Sequence, residues 1–288
     1  MKNLILALRP KQWSKNIVVF VALVFSQNIF SSAKLLQTLA AFGLFCLLSG
    51  GAYILNDIAD IASDRRHPEK SKRPISSGAL SISRAWIAFV VISVAAIVLA
   101  FLTDLQFGLT AMAYLVVQLA YSLWLKHLVI IDIFCIASSF FLRVMAGALV
   151  IDVSVSSWLL VCTFFVSLFI ALCKRRHEML LLEERAADHR KVLGTYDMLL
   201  LDQMISVVTA SSVVAYSVYT LSSETVSRFG TTNLKYTIPF VLYGIYRYLY
   251  LVYCKRQGGS PEAILLTDVP MIVNLIGYSI VVLIVLYT

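Results

Sequence analysis

Charged residues are scarce in this 288-residue sequence, and long polar stretches are missing altogether. Asp, Glu, Lys and Arg make up 14% of the chain, whereas hydrophobic residues make up 60%. This composition excludes a soluble globular protein and indicates a polytopic membrane protein. Because no polar stretch is long enough to fold separately, we predict one transmembrane domain over residues 1–288.

Motifs for several common kinds of chemistry are also missing. The sequence contains no Gly-rich phosphate loop, no zinc-ligand spacing and no Ser/His/Asp arrangement in a supporting context. The five cysteines have no paired spacing, so the sequence predicts neither disulfides nor a thiolate metal site. The basic residues lie in no recognisable nucleic-acid-binding motif, which excludes nucleic acid as a predicted partner.

What fills the sequence is a series of apolar segments that are long enough to span a bilayer. They predict an all-α fold of nine transmembrane helices, joined mostly by short loops. Two loops are longer, at about residues 58–82 and 177–197. The nine apolar windows fall near residues 13–30, 34–57, 83–102, 105–125, 129–151, 157–176, 198–221, 233–254 and 268–287.

The placement of positive charge predicts how these helices are oriented. If the N-terminus is cytoplasmic, only Lys34, Arg228 and Lys235 lie outside, and Arg143 and Arg247 lie within helices. All the other Lys and Arg residues, of 24 in total, then lie on the cytoplasmic side. We therefore predict a multi-pass inner-membrane protein with its N-terminus inside, its C-terminus outside and both long loops in the cytoplasm.

An acidic motif directly follows the second apolar window. Asp57, Asp60 and Asp64 are spaced i, i+3 and i+7, which predicts that they share one helix face, and Asn56 precedes them. Three like charges on one face repel each other unless a cation lies among them. Because hard oxygen ligands open to solvent suit Mg²⁺ shared with substrate phosphates, the motif predicts a magnesium site at the membrane boundary.

A dense basic loop comes next, from Arg65 to Pro74, and it includes Lys70 and Arg73. Its ordinary interpretation is a cytoplasmic loop that attracts anionic lipid headgroups. Pro68 and Pro74 stiffen the loop beside three carboxylates, however, and this favours phosphate binding. Acidic groups for a metal next to basic groups for phosphate predict an active site on the cytoplasmic face.

Other basic and polar residues are candidates for the same site. Each has an ordinary alternative, such as a loop residue, an interfacial anchor or a lysine that snorkels to the membrane surface. The candidates are Lys174, Glu178, Arg190 and Tyr196 in the second long loop, Tyr121 and Lys126 at the end of the fourth window, and Arg9, Gln12, Lys15 and Asn16 before the first helix.

Arg143 lies deep in the fifth predicted helix, where a lone cation costs at least about 2.5 kcal/mol. Asp132 shares its helix face and is one group that could offset this cost. The alternatives are groups from another helix or polar groups that line a wet cavity. A structural ion pair between packed helices is the ordinary interpretation, but we predict that Arg143 faces a central cavity and not lipid.

The run NDIADIASDRRHP, which begins at Asn56, resembles the N-D-x-x-D-x-x-x-D motif of the UbiA-type intramembrane prenyltransferases. The resemblance implies a UbiA-like fold of nine transmembrane helices around a central cavity. It also implies diphosphate substrates bound through Mg²⁺. Asn56, Asp57, Asp60 and Asp64 are then the catalytic residues, and the three aspartates are the metal ligands.

Within that family the chain is similar to the decaprenyl-phosphate phosphoribosyltransferase branch over about residues 7–215. The similar segments are LRPKQWSKN, NDIADIASDRRHPEKSKRPISSGAL, YSLWLKHLVIIDI, SSFFLRVMAGAL and SLFIALCKRRHEM. Aromatic prenyltransferases of the family usually carry a second D-x-x-x-D motif. Here KRRHEM and the segment with Tyr196 and Asp202 stand in its place, which favours the phosphoribosyltransferase branch.

The resemblance to this branch implies the reaction and its substrates. The branch transfers 5-phosphoribosyl from phosphoribosyl diphosphate (PRPP) to a polyprenyl phosphate, releases diphosphate and supplies cell-envelope glycan precursors. We predict that Arg73, Lys126 and Lys174 bind the donor phosphates. The residues predicted to hold the lipid phosphate or to line the cavity are Arg9, Gln12, Lys15 and Arg143.

Two other functions stay open. An aromatic prenyltransferase of quinone or haem biosynthesis would share the first Asp motif but would use a polyprenyl diphosphate donor. A transporter or membrane scaffold would have inverted repeats and charge near the bilayer midplane, whereas most charge here lies at one face. The sequence leaves open the lipid chain length, the number of Mg²⁺ ions and the oligomeric state, including a homo-oligomer.

Overall fold

The computed structural model describes residues 2–184 and 196–287, without the side chains of 181–184. Every regular element in these ranges is a helix, which confirms the predicted all-α fold. Short 3₁₀ helices cover Pro10–Phe20, Lys70–Lys72, Leu125–His127 and Asn233–Thr237. The α-helices are α1 Lys2–Ala7, α2 Val21–Phe25, α3 Ser32–Ala59, α4 Ile61–Asp64, α5 Ile82–Thr103, α6 Leu105–Leu123, α7 Ile131–Leu149, α8 Ser157–Glu184, α9 Met198–Leu221, α10 Ser223–Phe229, α11 Ile238–Tyr253, α12 Pro261–Thr267 and α13 Val269–Tyr287.

Among the described residues, seven helices are long and apolar enough to cross a membrane: α3, α5, α6, α7, α8, α9 and α13. They confirm seven of the nine predicted windows. The window at 13–30 instead forms a 3₁₀ helix and the short α2, which ends at Phe25, two residues before Gln27 adopts a φ of 58°. The window at 233–254 is divided between Thr237 and Ile238, and Pro239 lies in the first turn of the 16-residue α11, where its missing N–H costs nothing.

The second long loop begins later than predicted. Helix α8 continues to Glu184, although the apolar window ends near residue 176. The sequence from Glu178 to Glu184 consists of Glu, Met and Leu, which are strong helix formers, so the helix extends beyond its apolar part. Arg190, one of the predicted site residues, lies outside the described residues.

The chain divides into two compact units, Met1–Ser154 and Val155–Thr288. In the first unit, the 3₁₀ helix Pro10–Phe20 packs with α3, α5, α6 and α7 around a common apolar core. Phe45, Phe107 and Tyr114 are fully buried at its centre. The Phe45 ring lies 6.1 Å from Phe107 and 5.2 Å from Tyr114 between centroids, in tilted arrangements that aromatic pairs favour.

A smaller core in the first unit holds the basic loop in place. Ile75 and Leu80 pack there with Leu8, Ile54 and Ala85, so the loop is fixed against α3 and α5. Ile75 is 1% exposed and lies two positions after Arg73. Burial of this isoleucine therefore fixes the backbone from which Arg73 extends.

In the second unit, α8 packs on α9, and α11 packs on α9 and α13. Hydrogen bonds tie the last helices together. The Tyr216 hydroxyl lies 2.6 Å from Thr237 Oγ1 and 3.2 Å from the Tyr278 hydroxyl. Arg247 donates to both oxygens of Asp268, at 3.0 and 2.8 Å, and this bidentate pair joins α11 to the start of α13.

Gly147 lets α7 approach the N-terminal 3₁₀ helix closely. An ideal Cβ at Gly147 would lie 2.0 Å from the carbonyl oxygen of Val19, which is far inside contact distance. The neighbouring atom belongs to the backbone, so it cannot move aside as a flexible side chain could. A side chain at this position would push the two segments apart.

We predict that Gly147→Ala lowers the stability of the protein by about 1–3 kcal/mol, as expected for overpacking a tight contact. Thermal unfolding in detergent measures the effect. Gly43→Ala is the matched control, because nothing lies within 4 Å of its ideal Cβ and alanine favours the helix. Equal melting temperatures for the two variants would contradict the proposed close contact.

Candidate active site

The three aspartates of the acidic motif lie where α3 ends. Asp57 lies in α3, Asp60 follows its last residue, and Asp64 ends α4. The prediction that one continuous helix face carries all three is wrong, because the chain turns at Asp60. Asp60 has a non-helical φ of −96° and ψ of 7°, and its carbonyl oxygen accepts from the Ser63 N–H at 3.0 Å and from the Ser63 hydroxyl at 2.9 Å. Such local side-chain bonds compete with a continuing helix.

Arg9 contacts Asp57 from the N-terminal segment. Its guanidinium donates through Nη2 to Asp57 Oδ1, and it lies 4.9 Å from the centroid of the Tyr53 ring. The backbone of Arg9 is left-handed, with a φ of 51°, and Pro10 begins the 3₁₀ helix immediately after it. This conformation is costly for a residue with a Cβ, so the surrounding contacts must hold Arg9 in it.

Arg73 bridges two of the carboxylates from the basic loop. Its Nη1 lies 3.0 Å from Asp57 Oδ1 and 2.5 Å from Asp64 Oδ2. The side chains of Asp57 and Asp64 are only 2% and 4% exposed. Buried carboxylates at this depth need charged or hydrogen-bonding partners, and Arg73 supplies one to both.

Lys126 approaches the remaining carboxylate from the connection between α6 and α7. Its Nζ lies 2.6 Å from Asp60 Oδ1, and only 3% of its side chain is exposed. Asn56 donates from Nδ2 to the other oxygen, Asp60 Oδ2, at 3.1 Å. Lys126 therefore extends into the site and does not snorkel towards solvent.

These contacts bring together three acidic and three basic side chains within the first unit. Asp57 pairs with both Arg9 and Arg73, Asp64 pairs with Arg73, and Asp60 pairs with Lys126. Carboxylates can hold a divalent cation, and guanidinium and ammonium groups can hold phosphate. The arrangement is therefore suited to a ligand that combines a metal ion with a polyanion.

The donor chemistry fits Mg²⁺, which prefers oxygen ligands. Asn56 Oδ1 is buried and accepts no hydrogen bond from the described residues, so it is an oxygen that a ligand could engage. No three His, Cys, Asp or Glu side chains in the described ranges are close enough together to hold a metal ion. Instead, Arg73 lies between Asp57 and Asp64, and Lys126 pairs with Asp60. The metal ligands therefore stay a prediction.

Arg143 is held by neutral groups deep in the first unit. It donates from Nε to Asn16 Oδ1 at 2.7 Å, from Nη1 to the Ser139 carbonyl and hydroxyl at 3.0 and 3.1 Å, and from Nη2 to the Tyr114 hydroxyl at 2.8 Å. Asn16 and Tyr114, from other segments, thus offset the cost of burying the charge, a role that the sequence also suggested for Asp132. The residue is 3% exposed and does not face lipid. Its role towards phosphate stays a prediction.

The other predicted residues of the first unit are half-buried. Gln12 and Lys15 lie on the 3₁₀ helix that follows Arg9, Lys70 lies in the basic loop, and Tyr121 lies near the end of α6.

The second unit holds the remaining candidates. Lys174 and Glu178 are half-buried on α8, and Tyr196 is buried just before α9. Arg175, whose side chain is 4% exposed, donates to Glu178. Glu178 is therefore already paired with a neighbour one helical turn away.

Arg176 and Asp202, which the sequence places in one mixed acid/base region, form a polar cluster in this unit together with Tyr253, which the sequence did not indicate. Arg176 Nε lies 2.6 Å from Asp202 Oδ1, and the Tyr253 hydroxyl donates to the same oxygen at 2.7 Å. The guanidinium also lies 3.9 Å from the centroid of the Tyr253 ring. The two opposite charges were the available signal, but nothing in the sequence pairs them with each other or with Tyr253.

The family comparison agrees with the acidic motif and the helical fold. The chain matches the UbiA prenyltransferase family over residues 16–276. This match covers most of the sequence, including every aspartate, arginine and lysine of the site except Arg9 and Lys15. The chain therefore belongs to the UbiA prenyltransferase family.

Individual relatives are similar along nearly the whole chain. It is 33% identical to a decaprenyl-phosphate phosphoribosyltransferase of Corynebacterium glutamicum, with 92% of this chain and 81% of that protein covered. It is 32% identical to the enzyme of the same name from Mycolicibacterium smegmatis, with 92% and 86% covered. A solved UbiA homolog from Archaeoglobus fulgidus, bound to GPP and Mg²⁺, has the same fold, with a TM-score of 0.74, 17% identity, and 99% of this chain and 100% of that chain covered.

We predict that Arg73→Met destabilises the protein by about 1–3 kcal/mol, because it removes a charged partner from two buried carboxylates. Lys72→Met is the matched control. Lys72 pairs with Glu69 in the same loop, but the two side chains are 71% and 77% exposed, so its removal should leave stability unchanged. Thermal unfolding of both variants in detergent checks this, and an Arg73→Met melting temperature equal to that of Lys72→Met would contradict it.

Proposed function

We propose that this protein transfers 5-phosphoribosyl from PRPP to a polyprenyl phosphate and releases diphosphate. The observation that carries the proposal is the group of three aspartates and three basic side chains at the end of α3. Phosphoribosyltransferases among the relatives support the choice of donor and acceptor. A product of this kind would serve as a lipid-linked precursor for cell-envelope glycans.

The reaction itself requires little covalent chemistry from the protein. The bond from the anomeric carbon of ribose to the diphosphate oxygen breaks, and its electron pair leaves with diphosphate. An oxygen of the lipid phosphate supplies the pair for the new bond to that carbon. Because this nucleophile is already an anion, no strong general base is required. The main demands are to hold two anionic substrates close together and to stabilise the departing charge.

The basic side chains meet these demands in the proposal. Arg73 and Lys126 pair with the carboxylates and would turn from them onto donor phosphates. Arg9, which the sequence suggested for the lipid phosphate, pairs with Asp57 beside Arg73, and this position supports a role towards the donor instead. Guanidinium groups suit bidentate contacts with phosphate oxygens, whereas the ammonium of Lys126 acts as a point charge. Lys174 is the candidate from the second unit, and Lys15 and Gln12 are candidates for the lipid phosphate.

The carboxylates are the proposed ligands of Mg²⁺. Asp57 and Asp60 would bind the ion, Asp64 would assist directly or through water, and Asn56 would orient it through its free Oδ1. When bound, Mg²⁺ neutralises the charge that develops on the departing diphosphate. In this proposal the ion pairs would open when the donor binds. The carboxylates would then contact the metal ion, and the basic side chains would contact the phosphates.

The membrane arrangement is part of the proposal. Seven described helices are suited to cross a membrane, and the basic loop lies next to the acidic motif. We propose an inner-membrane location with the N-terminus and this site on the cytoplasmic side, where PRPP would be available. The positive-inside pattern of the sequence supports this orientation.

The donor decides between this function and prenylation of an aromatic ring. Purified protein is supplied with Mg²⁺ and either ribose-labelled PRPP with a polyprenyl phosphate, or a labelled polyprenyl diphosphate with a hydroxybenzoate. We expect label to enter the lipid fraction from PRPP only. Prenylation of the hydroxybenzoate, with no transfer from PRPP, would overturn the proposal.

We predict that Asp57→Asn and Asp60→Asn each lower turnover by about 100-fold or more, since each removes part of an electrostatic contribution worth several kcal/mol. Asp104→Asn is the matched control. Asp104 caps α6 through a bond from the Phe107 N–H, and asparagine caps a helix equally well. Turnover with PRPP is measured for all three, and unchanged turnover in both site variants would exclude the aspartates as metal ligands.

A further inference from the structure

The N-terminal 3₁₀ helix Pro10–Phe20 joins two parts of the first unit that differ in chemistry. Arg9 precedes the helix and contacts Asp57 at the acidic motif. Asn16 lies farther along and is fully buried, against Arg143. The same short segment therefore connects the candidate active site to a buried cation in α7.

A 3₁₀ helix of this length has little stability of its own. Its hydrogen bonds have poorer geometry than those of an α-helix, and runs longer than three or four residues are uncommon. The left-handed conformation of Arg9 adds to the strain at its start. Contacts with the rest of the unit must therefore hold the segment in position.

Asn16 supplies a fully buried polar contact of this kind. Its Oδ1 accepts from Arg143 Nε at 2.7 Å, and its Nδ2 donates to Ser49 Oγ at 3.1 Å and Cys46 Sγ at 3.3 Å. One side chain thereby fixes the segment to both α7 and α3. Both the Asn16 and the Arg143 side chains are buried, so water cannot replace either contact cheaply.

Arg143 is suited to hold Asn16 rather than a substrate. Asn16, Ser139 and Tyr114 occupy all three of its nitrogen atoms, and the rings of Tyr114 and Phe140 lie 4.7 and 5.2 Å from its guanidinium carbon. Its hydrogen bonds are directed into the protein. A guanidinium held on so many sides has a fixed orientation, which is what an anchor requires.

We propose that Arg143 and Asn16 are positioning residues that set where Arg9 lies at the acidic motif. The inference rests on the proposed function for its kinetic consequence, since Arg9 is a candidate ligand of the donor phosphates. In this proposal Arg143 acts through Asn16 and the 3₁₀ helix, in place of the phosphate contact that the sequence suggested for it. Loss of the anchor then weakens donor binding through Arg9 alone.

The test is a double-mutant cycle in the purified full chain, with KM for PRPP, kcat and melting temperature measured for each variant. Asn16→Ala should raise KM for PRPP about tenfold, because Arg9 would then lose one charge-assisted hydrogen bond to the donor. In an Arg9→Gln background, Asn16→Ala should add no further rise, because both changes remove the same contact. Asn16→Asp should restore KM, since its carboxylate still accepts from Arg143.

Tyr114→Phe is the matched control, because it removes a hydrogen bond from the same guanidinium but leaves the 3₁₀ helix untouched. It should lower the melting temperature without raising KM. An equal rise in KM for Tyr114→Phe and Asn16→Ala, or a full additional rise in the Arg9→Gln background, would overturn the proposal. If Asn16→Ala does not fold, Asn16→Leu takes its place in the cycle with the same expectation, since it keeps a similar volume but cannot accept from Arg143.

Hydrogen exchange over residues 9–20 tests the anchor without any substrate. Asn16→Ala should speed exchange of this segment, whereas Tyr114→Phe should not. Unchanged exchange in Asn16→Ala would overturn the anchor even if the enzyme turns over PRPP. Failure of the wild-type protein to use PRPP would instead contradict the proposed function. The hydrogen-exchange result would then still show whether Asn16 holds the 3₁₀ helix in position.

Discussion

Repulsion among three aspartates at the end of a membrane-spanning helix is the constraint on which the first unit depends. Asp57, Asp60 and Asp64 are close in sequence, and two of them are almost fully buried. Their charges need partners at such depth. The partners come from positions 48, 16 and 66 residues away, in the N-terminal segment, the basic loop and the connection between α6 and α7. The ion pairs thus require three distant parts of the chain to meet at one place.

The rest of the unit keeps those parts where the charges need them. Burial of Ile75 fixes the loop that carries Arg73. Close packing at Gly147 and the bond between Asn16 and Arg143 fix the segment that carries Arg9. Acidic and basic side chains that lie close together are also what a metal-dependent transfer between two phosphate-bearing substrates requires. Structure and proposed function therefore rest on the same charges.

The sequence alone identified the acidic motif, the basic loop and Lys126, because their residue types and their positions at the ends of apolar segments are visible without a structure. Partners could not be predicted. Arg9 with Asp57 and Asn16 with Arg143 are separated by 48 and 127 positions, and only the packed helices bring them together. The turn at Asp60 was missed because helical spacing ignores local bonds such as that from Ser63. Apolar windows of spanning length likewise do not show where a helix is interrupted, as happens within 13–30 and 233–254.

A structure determined with PRPP and Mg²⁺ bound would reveal which groups the acidic and basic side chains contact during the reaction. We expect Asp57 and Asp60 to bind the metal ion and Arg9, Arg73 and Lys126 to bind diphosphate oxygens, while Arg143 keeps its bond to Asn16. A donor bound elsewhere, with the ion pairs among these residues intact, would exclude this group of side chains as the active site.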